Sequence, residues 1–485
     1  MTDTHTTFFA YIALLLWPAA ALYLYSTRPV GQATIWTILG GYLLLPPGAQ
    51  IKFEMVPAFG KESIPNLSAL IGCMLCARRM PKFFRGFGLA EVLILSILIV
   101  PLITSLLNGD TIRIGQTVLP GVGTYDAGSA MIAEFIFILP FFLARDFLRS
   151  ADDNADLLRV MAIAGLAYSL PILFEVRMSP QLQFWIYGDS RVFVTELRDG
   201  SFRPIVFLQN GLVVAFFATT AAVAAASLWR TQTRIGRLPA GVITTYLSFI
   251  VVLCRTLSSL VYGGVLIPLI RWASPRMQLG VACVLVTVAL SYPLLREADL
   301  FPTKSMLEAA TAIDTDRAAS LKTRFDNEDQ LLKHAWERPW FGWGRFARNR
   351  VYHGLNGRDS SITDGYWIIT LGTFGLVGFI AQFGLLGLVV FRAAMALKLS
   401  QSMREAVYLA ALALIVAINV VDLLPNASIS PWTWLLVGTL LGRAEELYAS
   451  TRRPTPTENL LVAPMKVQRA DAIQLKPGNT DRKKY

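Results

Sequence analysis

The chain of 485 residues is 54% hydrophobic and 16% charged, with a mean hydropathy of +0.50. Soluble domains carry about 25% charge, so a soluble globular enzyme is excluded and a polytopic membrane protein is expected. The net charge of +11 does not mark a nucleic-acid partner, because the excess sits in short loops and the C-terminal tail, with no basic stripe interleaved with aromatics.

Apolar length predicts an all-α polytopic integral membrane protein with about 12–13 transmembrane helices. The runs cover 8–25, 33–45, 63–77, 88–107, 127–143, 157–174, 204–228, 240–254, 257–270, 278–295, 366–391, 405–424 and 431–442. The first, FFAYIALLLWPAAALYLY, has no basic flank before it and no A-x-A cleavage site, so it reads as a retained span. Spans two and three, broken by Pro46 and Pro47, and the last are short enough to be tilted or re-entrant. Cys73, Cys76, Cys254 and Cys283 lie in or beside apolar runs. The Cys73–Cys76 pair has no second pair or histidine at zinc spacing. With only His5, His334 and His353 in the chain, neither a metal site nor a cofactor is expected.

Basic residues set the orientation. Arg78, Arg79, Lys82 and Arg85 follow span three; Arg230, Arg234 and Arg237 follow span seven. Arg271 and Arg276 follow span nine, and Arg392, Lys398 and Arg404 follow span eleven. Even numbers of spans separate these loops, which places them together in the cytoplasm with a disordered tail, 443–485. The loops 108–126, 175–203, the Arg255 turn, 296–364 and 425–430 then face outward. The expected divisions are a bundle (1–295), a large periplasmic loop (296–365), C-terminal spans (366–442) and the tail.

The large loop balances its basic and acidic residues, as a structured external domain would. Leu321, Phe325, Leu332 and Trp336 recur at helical spacing. Asp314 or Asp316 can cap this helix, and Pro339 ends it at Arg338. Arg317, Arg324 and Arg338 are spaced by seven and fourteen residues, which puts them on nearly one face. The row reads either as a solvated face, with Asp326, Glu328 and Asp329 as ion-pair partners, or as a grip for a diphosphate, which the planar guanidinium fork suits. The following PWFGWG reads as a turn at the membrane interface, serving as an anchor or as a sugar-stacking platform. Arg177, Arg191, Arg198 and Arg203 crowd the second outward loop, and Arg255 stands in VVLCRTLSS between two spans. At such depth an ionisable side chain is a functional candidate or snorkels to the interface. Asp422 with Asn419 in INVVDLLPN reads as a helix-packing hydrogen bond.

Together these features resemble the O-antigen ligase and O-antigen polymerase superfamily. Arg324, then Pro339-x-x-Gly342-x-Gly344, then a polar residue some ten positions before Gly375 follow its loop motif. Aligning Gly375 with the motif's final glycine puts Asp364 on the motif histidine, Gly365 on its asparagine and Trp367 on its tyrosine. The resemblance implies a metal-independent glycosyltransferase in the bacterial inner membrane, with its site facing the periplasm. Its donor would be a polyprenyl-diphosphate-linked oligosaccharide and its acceptor a growing glycan. A flippase and a chain-length regulator would be pathway partners, beside the lipid bilayer itself. In this reading Asp364 is the base and Arg324 assists at the diphosphate, while Arg177, Arg203, Arg255, Arg317 and Arg338 bind substrate. Asp359 and His353 are rival bases, and the bland alternative for Asp364 is a helix cap. A ligase moving finished glycan to lipid A core or protein, and a transporter or flippase, remain open alternatives.

Overall fold

The computed structural model describes residues 7–53, 56–189, 196–198, 200–313, 315–354 and 356–452, without the side chains of 198, 313, 316, 317 and 452. Expectations resting on the tail beyond 452, on Arg191, and on the side chains of Asp314, Asp316, Arg198 and Arg317 lie outside the described residues.

Every apolar run becomes a helix, since a helix satisfies all backbone polar groups within one segment. In chain order these are α1 (Phe8–Thr27), α2 (Val30–Leu44), α3 (Ile64–Leu75), α4 (Leu89–Leu107), α5 (Thr124–Phe147), α6 (Ala151–Met178), the short α7 (Leu182–Tyr187) and α8 (Gly211–Arg230). Then follow α9 (Ala240–Leu253), α10 (Leu257–Trp272), α11 (Pro275–Glu297), α12 (Thr303–Ile313), α13 (Thr315–Ala335), α14 (Tyr366–Ala396), α15 (Met403–Asp422) and α16 (Pro431–Arg452). Eight of these, α1, α4, α5, α6, α8, α11, α14 and α15, are long and apolar enough to cross a membrane, and α2, α3, α9 and α10 are shorter apolar helices. The protein is therefore an all-α, multi-pass membrane protein. Its described strands are small antiparallel hairpins closing loops: β1 (Gln50–Ile51) with β2 (Phe59–Gly60), β3 (Ile112–Ile114) with β4 (Thr117–Leu119), β5 (Leu197–Arg198) with β6 (Ser201–Phe202), and β7 (Arg234–Ile235) with β8 (Leu238–Pro239).

The alanine-rich α8 and α15 form the centre, and nearly all of their residues are buried. Small side chains let α6, α9 and α10 pack closely on α8, and α11 and α14 on α15. At the periphery α1 exposes Leu15, Leu16 and Tyr23.

Helix ends sort onto two opposite ends of the bundle. At one, Arg85 pairs with Asp146, Arg443 pairs with Glu405, and Arg145, buried at 1% exposure, bridges Glu91 and Glu445, each at 2.5 Å. Arg230 donates to the Ile270 carbonyl (2.6 Å) and Arg404 to Thr233 (3.1 Å). The loops after α3, α8, α10 and α14 thus gather at this basic end. Here α16 runs ten residues beyond the apolar run that ends at Gly442, because Arg443, Glu445 and Glu446 find charged partners on α5, α15 and Arg149. The 108–122 segment, α7, α12, α13 and the 336–365 loop occupy the other end.

Candidate functional site

The PWFGWG segment is neither a free interfacial turn nor an open platform. It docks against a break in α14, where Gly375 adopts φ 68 and ψ −167. Leu376 N–H donates to the Pro339 carbonyl (2.7 Å) and Val377 N–H to that of Trp340 (3.2 Å). In return Trp343 N–H donates to Gly372 (2.9 Å) and Gly344 N–H to Thr373 (2.9 Å). A Cβ on Gly375 would lie 2.4 Å from the Trp340 carbonyl, and one on Gly342 would lie 2.6 Å from that of Thr373. The glycines therefore permit backbone to pass against backbone, and the motif ties the large loop to the bundle. Trp343 is buried, stacks on His334 at 4.3 Å, and donates from Nε1 to the His334 carbonyl (2.8 Å). Taking that carbonyl helps close α13 at Ala335, three residues before the end expected from Pro339.

Above this scaffold α13 lies against α11 and α14. Tyr292 Oη donates to Glu328 Oε2 (2.9 Å), Trp367 Nε1 donates to Glu328 Oε1 (3.4 Å), and Arg296 pairs with Asp329 at 2.6 Å. One turn before Glu328, Arg324 Nε stands 3.4 Å from Asp364 Oδ2, both side chains partly exposed. Asp364 does not cap α14: the cap is Gly365, and Tyr366 N–H is taken by the Leu423 carbonyl (2.9 Å). Its carboxylate is left to Arg324.

The pair stands where two cavities meet. One, of about 210 Å³, is walled mostly by apolar side chains, including Tyr262, Tyr292, Phe301, Met306 and Ile368. The other, of about 230 Å³, is polar, with Gln209, Asn210, Thr363, Asp422, Asn426 and Ser428. Both include Arg324 and Asp364. Asp422 is 4% exposed, accepts from Asn426 Nδ2 (3.0 Å) and Ser428 Oγ (2.9 Å), and feels the charge of Arg324. Among the described residues the arrangement joins one cation, Arg324, the carboxyl groups of Asp364, Asp422 and Glu328, and neighbouring apolar and polar compartments.

Of the seven residues the sequence nominates, Arg324 and Asp364 come together, and the others described do not join them. Arg338 is turned away: it donates to Asn108 and, at 3.3 Å, to Asp110, and stacks over Trp343 at 4.2 Å. The helical face shared with Arg324 ceases to apply once α13 ends before Arg338. Arg203 is buried against Glu196 at 2.8 Å, beneath the start of α8. Arg255 is exposed in the turn between α9 and α10 with φ 51. Arg177 is exposed at the end of α6 and makes no ion pair among the described residues. None of these four lines either cavity. Arg317 belongs to α13, its side chain outside the described set. Of the rival bases, Asp359 is committed elsewhere, accepting from Arg350 (2.6 Å) and Ser361. Burial raises its pKa, but those partners outweigh burial and hold it below the usual carboxylate range. His353 is exposed and lines neither cavity.

Sequence reasoning misplaced two residues. Glu328, read as a surface ion-pair partner, is buried, and desolvation pushes its carboxyl above the ordinary value, against Tyr292 and Arg296. Asp422, read as a packing residue, belongs to the polar cavity; its signal was an aspartate at the end of an apolar run followed by L-L-P-N. Among the described residues no three His, Cys, Asp or Glu side chains gather at metal-binding distance. Compared with protein-family models and with curated proteins, the sequence gives no match.

Proposed function

We propose that this protein is a polymerase-type glycosyltransferase that joins polyprenyl-diphosphate-linked oligosaccharide repeat units into exopolysaccharide or O-antigen. The observation that carries the reading is the Arg324–Asp364 pair at the junction of an apolar and a polar cavity. An amphiphilic donor needs both compartments: the apolar one for the first isoprene units, the polar one for the sugar, and a cation between them for the diphosphate. In this reading all thirteen apolar helices cross the inner membrane, with the basic end in the cytoplasm. The cavities and the 296–365 loop then face the periplasm, where no nucleotide-sugar pool exists and a lipid-linked donor is the available one.

The step proceeds as follows. On binding, the diphosphate displaces Asp364 from Arg324. The acceptor hydroxyl oxygen attacks the anomeric carbon, forming the new glycosidic bond with inversion. The bond from that carbon to the diphosphate oxygen breaks, its electron pair leaves with the polyprenyl diphosphate, and Arg324 balances that charge. Asp364 takes the hydroxyl proton as general base. Asp422 lines the polar cavity beside the pair, each of its carboxyl oxygens accepting a hydrogen bond.

The test is elongation by purified protein supplied with polyprenyl-diphosphate repeat units, with and without EDTA. Wild type should lengthen the glycan in both conditions, and Arg324→Ala and Asp364→Asn should fall at least a hundredfold at matched expression. Wild-type chain length in both variants removes the pair from the mechanism. Loss of elongation with EDTA removes the metal-free chemistry. Transfer of finished chains to lipid A core or protein, without elongation, would make the protein a ligase. Lipid flipping in liposomes without any transfer would make it a transporter.

A further inference from the structure

The largest cavity among those described lies beside this site and is not used by the mechanism above. It encloses about 320 Å³, within the ~300–1,000 Å³ of small-molecule pockets. Its walls come from the β1–β2 hairpin, the starts of α3 and α16, the middle of α5, and the segment before α8. Gln209, Val213 and Ser428 line both it and the polar cavity at Arg324, so the two adjoin.

Its polar lining has a definite character. Lys61 stands beside the Glu62 carboxyl group, so the cavity does not present a cluster of cations to a phosphate. Lys61 Nζ is held by the Phe207 carbonyl (2.6 Å) and sits 5.8 Å over the Tyr42 ring. Asn66 at the cavity wall is fully buried and donates from Nδ2 to the Ile136 carbonyl (2.8 Å), while its Oδ1 accepts no hydrogen bond among the described residues. A buried acceptor without a donor is costly and calls for an explanation. Gln50, Gln209, Ser428 and Ser430 add groups that both donate and accept. Pro47, Pro57 and Pro65 interleave flat apolar faces. Paired donor and acceptor groups beside flat apolar surfaces match the hydroxyls and C–H faces of a pyranose ring.

We propose that this cavity is a binding site for an uncharged saccharide, with Glu62, Asn66 and Gln209 as its hydrogen-bonding residues. Resting on the transferase reading, the bound sugar is the non-reducing end of the acceptor, and its hydroxyl reaches toward Asp364 across the shared lining of Gln209 and Ser428. Binding itself does not depend on that reading.

The experiment uses the full chain in nanodiscs. The probes are di- and trisaccharides of glucose, galactose, mannose, rhamnose and N-acetylglucosamine, read by saturation-transfer NMR and by titration. At least one probe should bind wild type at millimolar concentration or better. Glu62→Gln and Gln209→Ala, each folded by thermal melt, should weaken it tenfold or more. Asn66→Leu should do the same, and the other two variants carry the test if it fails to fold. Arg324→Ala should leave binding unchanged. No binding by any probe, or binding that Glu62→Gln and Gln209→Ala leave intact, overturns the site. Binding that follows this pattern in a protein without transferase activity upholds the site and overturns the acceptor role.

Discussion

Replacing Gly375 with alanine tests whether the loop is held over the bundle by the break in α14. The residue's φ of 68 and ψ of −167 fall in a region open essentially to glycine alone, and forcing another residue there costs about 1–3 kcal/mol. The added Cβ would also stand 2.4 Å from the Trp340 carbonyl carbon and oxygen, and 2.6 Å from Phe341 N. These are backbone atoms, so the Pro339–Phe341 stretch must move. That movement stretches the bonds from Leu376 and Val377 N–H, and losing one buried hydrogen bond costs about 1–3 kcal/mol. The sum is roughly 2–6 kcal/mol, a large share of the ~5–15 kcal/mol typical of a domain. The matched control is Gly280→Ala in α11, where a Cβ meets nothing within 4 Å. That change should be neutral or stabilise by about 0.4–1 kcal/mol. Thermal melts of both variants in the same detergent, followed by Trp fluorescence, make the comparison. Gly375→Ala should melt well below wild type and Gly280→Ala at or above it. Gly375→Ala melting with the control would refute the account of the α14 break.

Other substitutions probe separate parts of the structure. Asp110 holds Arg338 and the buried Arg348. Burial raises its pKa, but the hydrogen bond from Arg338 and the charge of Arg348 outweigh burial and hold it below its ordinary 3.8. Its contribution is therefore complete above pH 3.8 and lost as pH falls below that. Asp110→Asn should cost about 1–2 kcal/mol after discounting for exposure and remove the acid-side loss, as read by melts from pH 3 to 7. Glu328 has the opposite sign: desolvation raises its folded pKa above 4.5, so its stabilisation is fully present below pH 4.5 and falls as pH rises through the folded value. Glu328→Gln should flatten that decline in melts between pH 4.5 and 7; an unchanged slope would contradict the buried placement. Arg145→Met strands the Glu91 carboxylate at the basic end and, among the described residues, leaves Glu445 only Arg392 at 3.8 Å; it should destabilise by about 3–5 kcal/mol, more than Glu445→Gln in parallel denaturation.

The helices were legible because length and hydropathy are local properties: thirteen apolar runs became thirteen helices, and only the ends moved. Those ends moved where partners came from elsewhere. Such partners are not visible in a hydropathy window, yet Arg85 and Glu91 anchor the charged end of α5, and Glu405 and Arg149 that of α16. The arginine row failed for a related reason. Seven-residue spacing equates positions only while a helix lasts, and α13 ends at Ala335 because Trp343, eight residues on, takes one of its carbonyls. Beyond that point Arg338 answers to Asn108 and Asp110, more than two hundred positions away in sequence. The Arg324–Asp364 pairing was half-legible: both positions came from a motif comparison, but their meeting depends on how Glu328 docks α13 on Tyr292 and Trp367.

Among the described residues Arg324 is the one guanidinium at the pair, and this changes the electrostatic argument for the proposed transfer. A row of arginines would neutralise a departing diphosphate by number, even in a wet cleft. One must do so by environment. Two unit charges 4 Å apart gain about 1 kcal/mol in water and about 4 kcal/mol at an effective dielectric near 20. Arg324 borders a cavity walled by Tyr262, Tyr292, Phe301 and Met306, and a polyprenyl chain filling it would expel the water that screens the charge. Lipid and catalysis are then coupled: a water-soluble donor carrying the same diphosphate sugar should bind poorly and also react slowly. A Phe301→Ser variant, which wets that wall without touching either charge, should lower the transfer rate more than donor affinity. Equal turnover with polyprenyl donors and with donors carrying the same diphosphate sugar but no isoprene units would show that the apolar compartment plays no part in the chemistry.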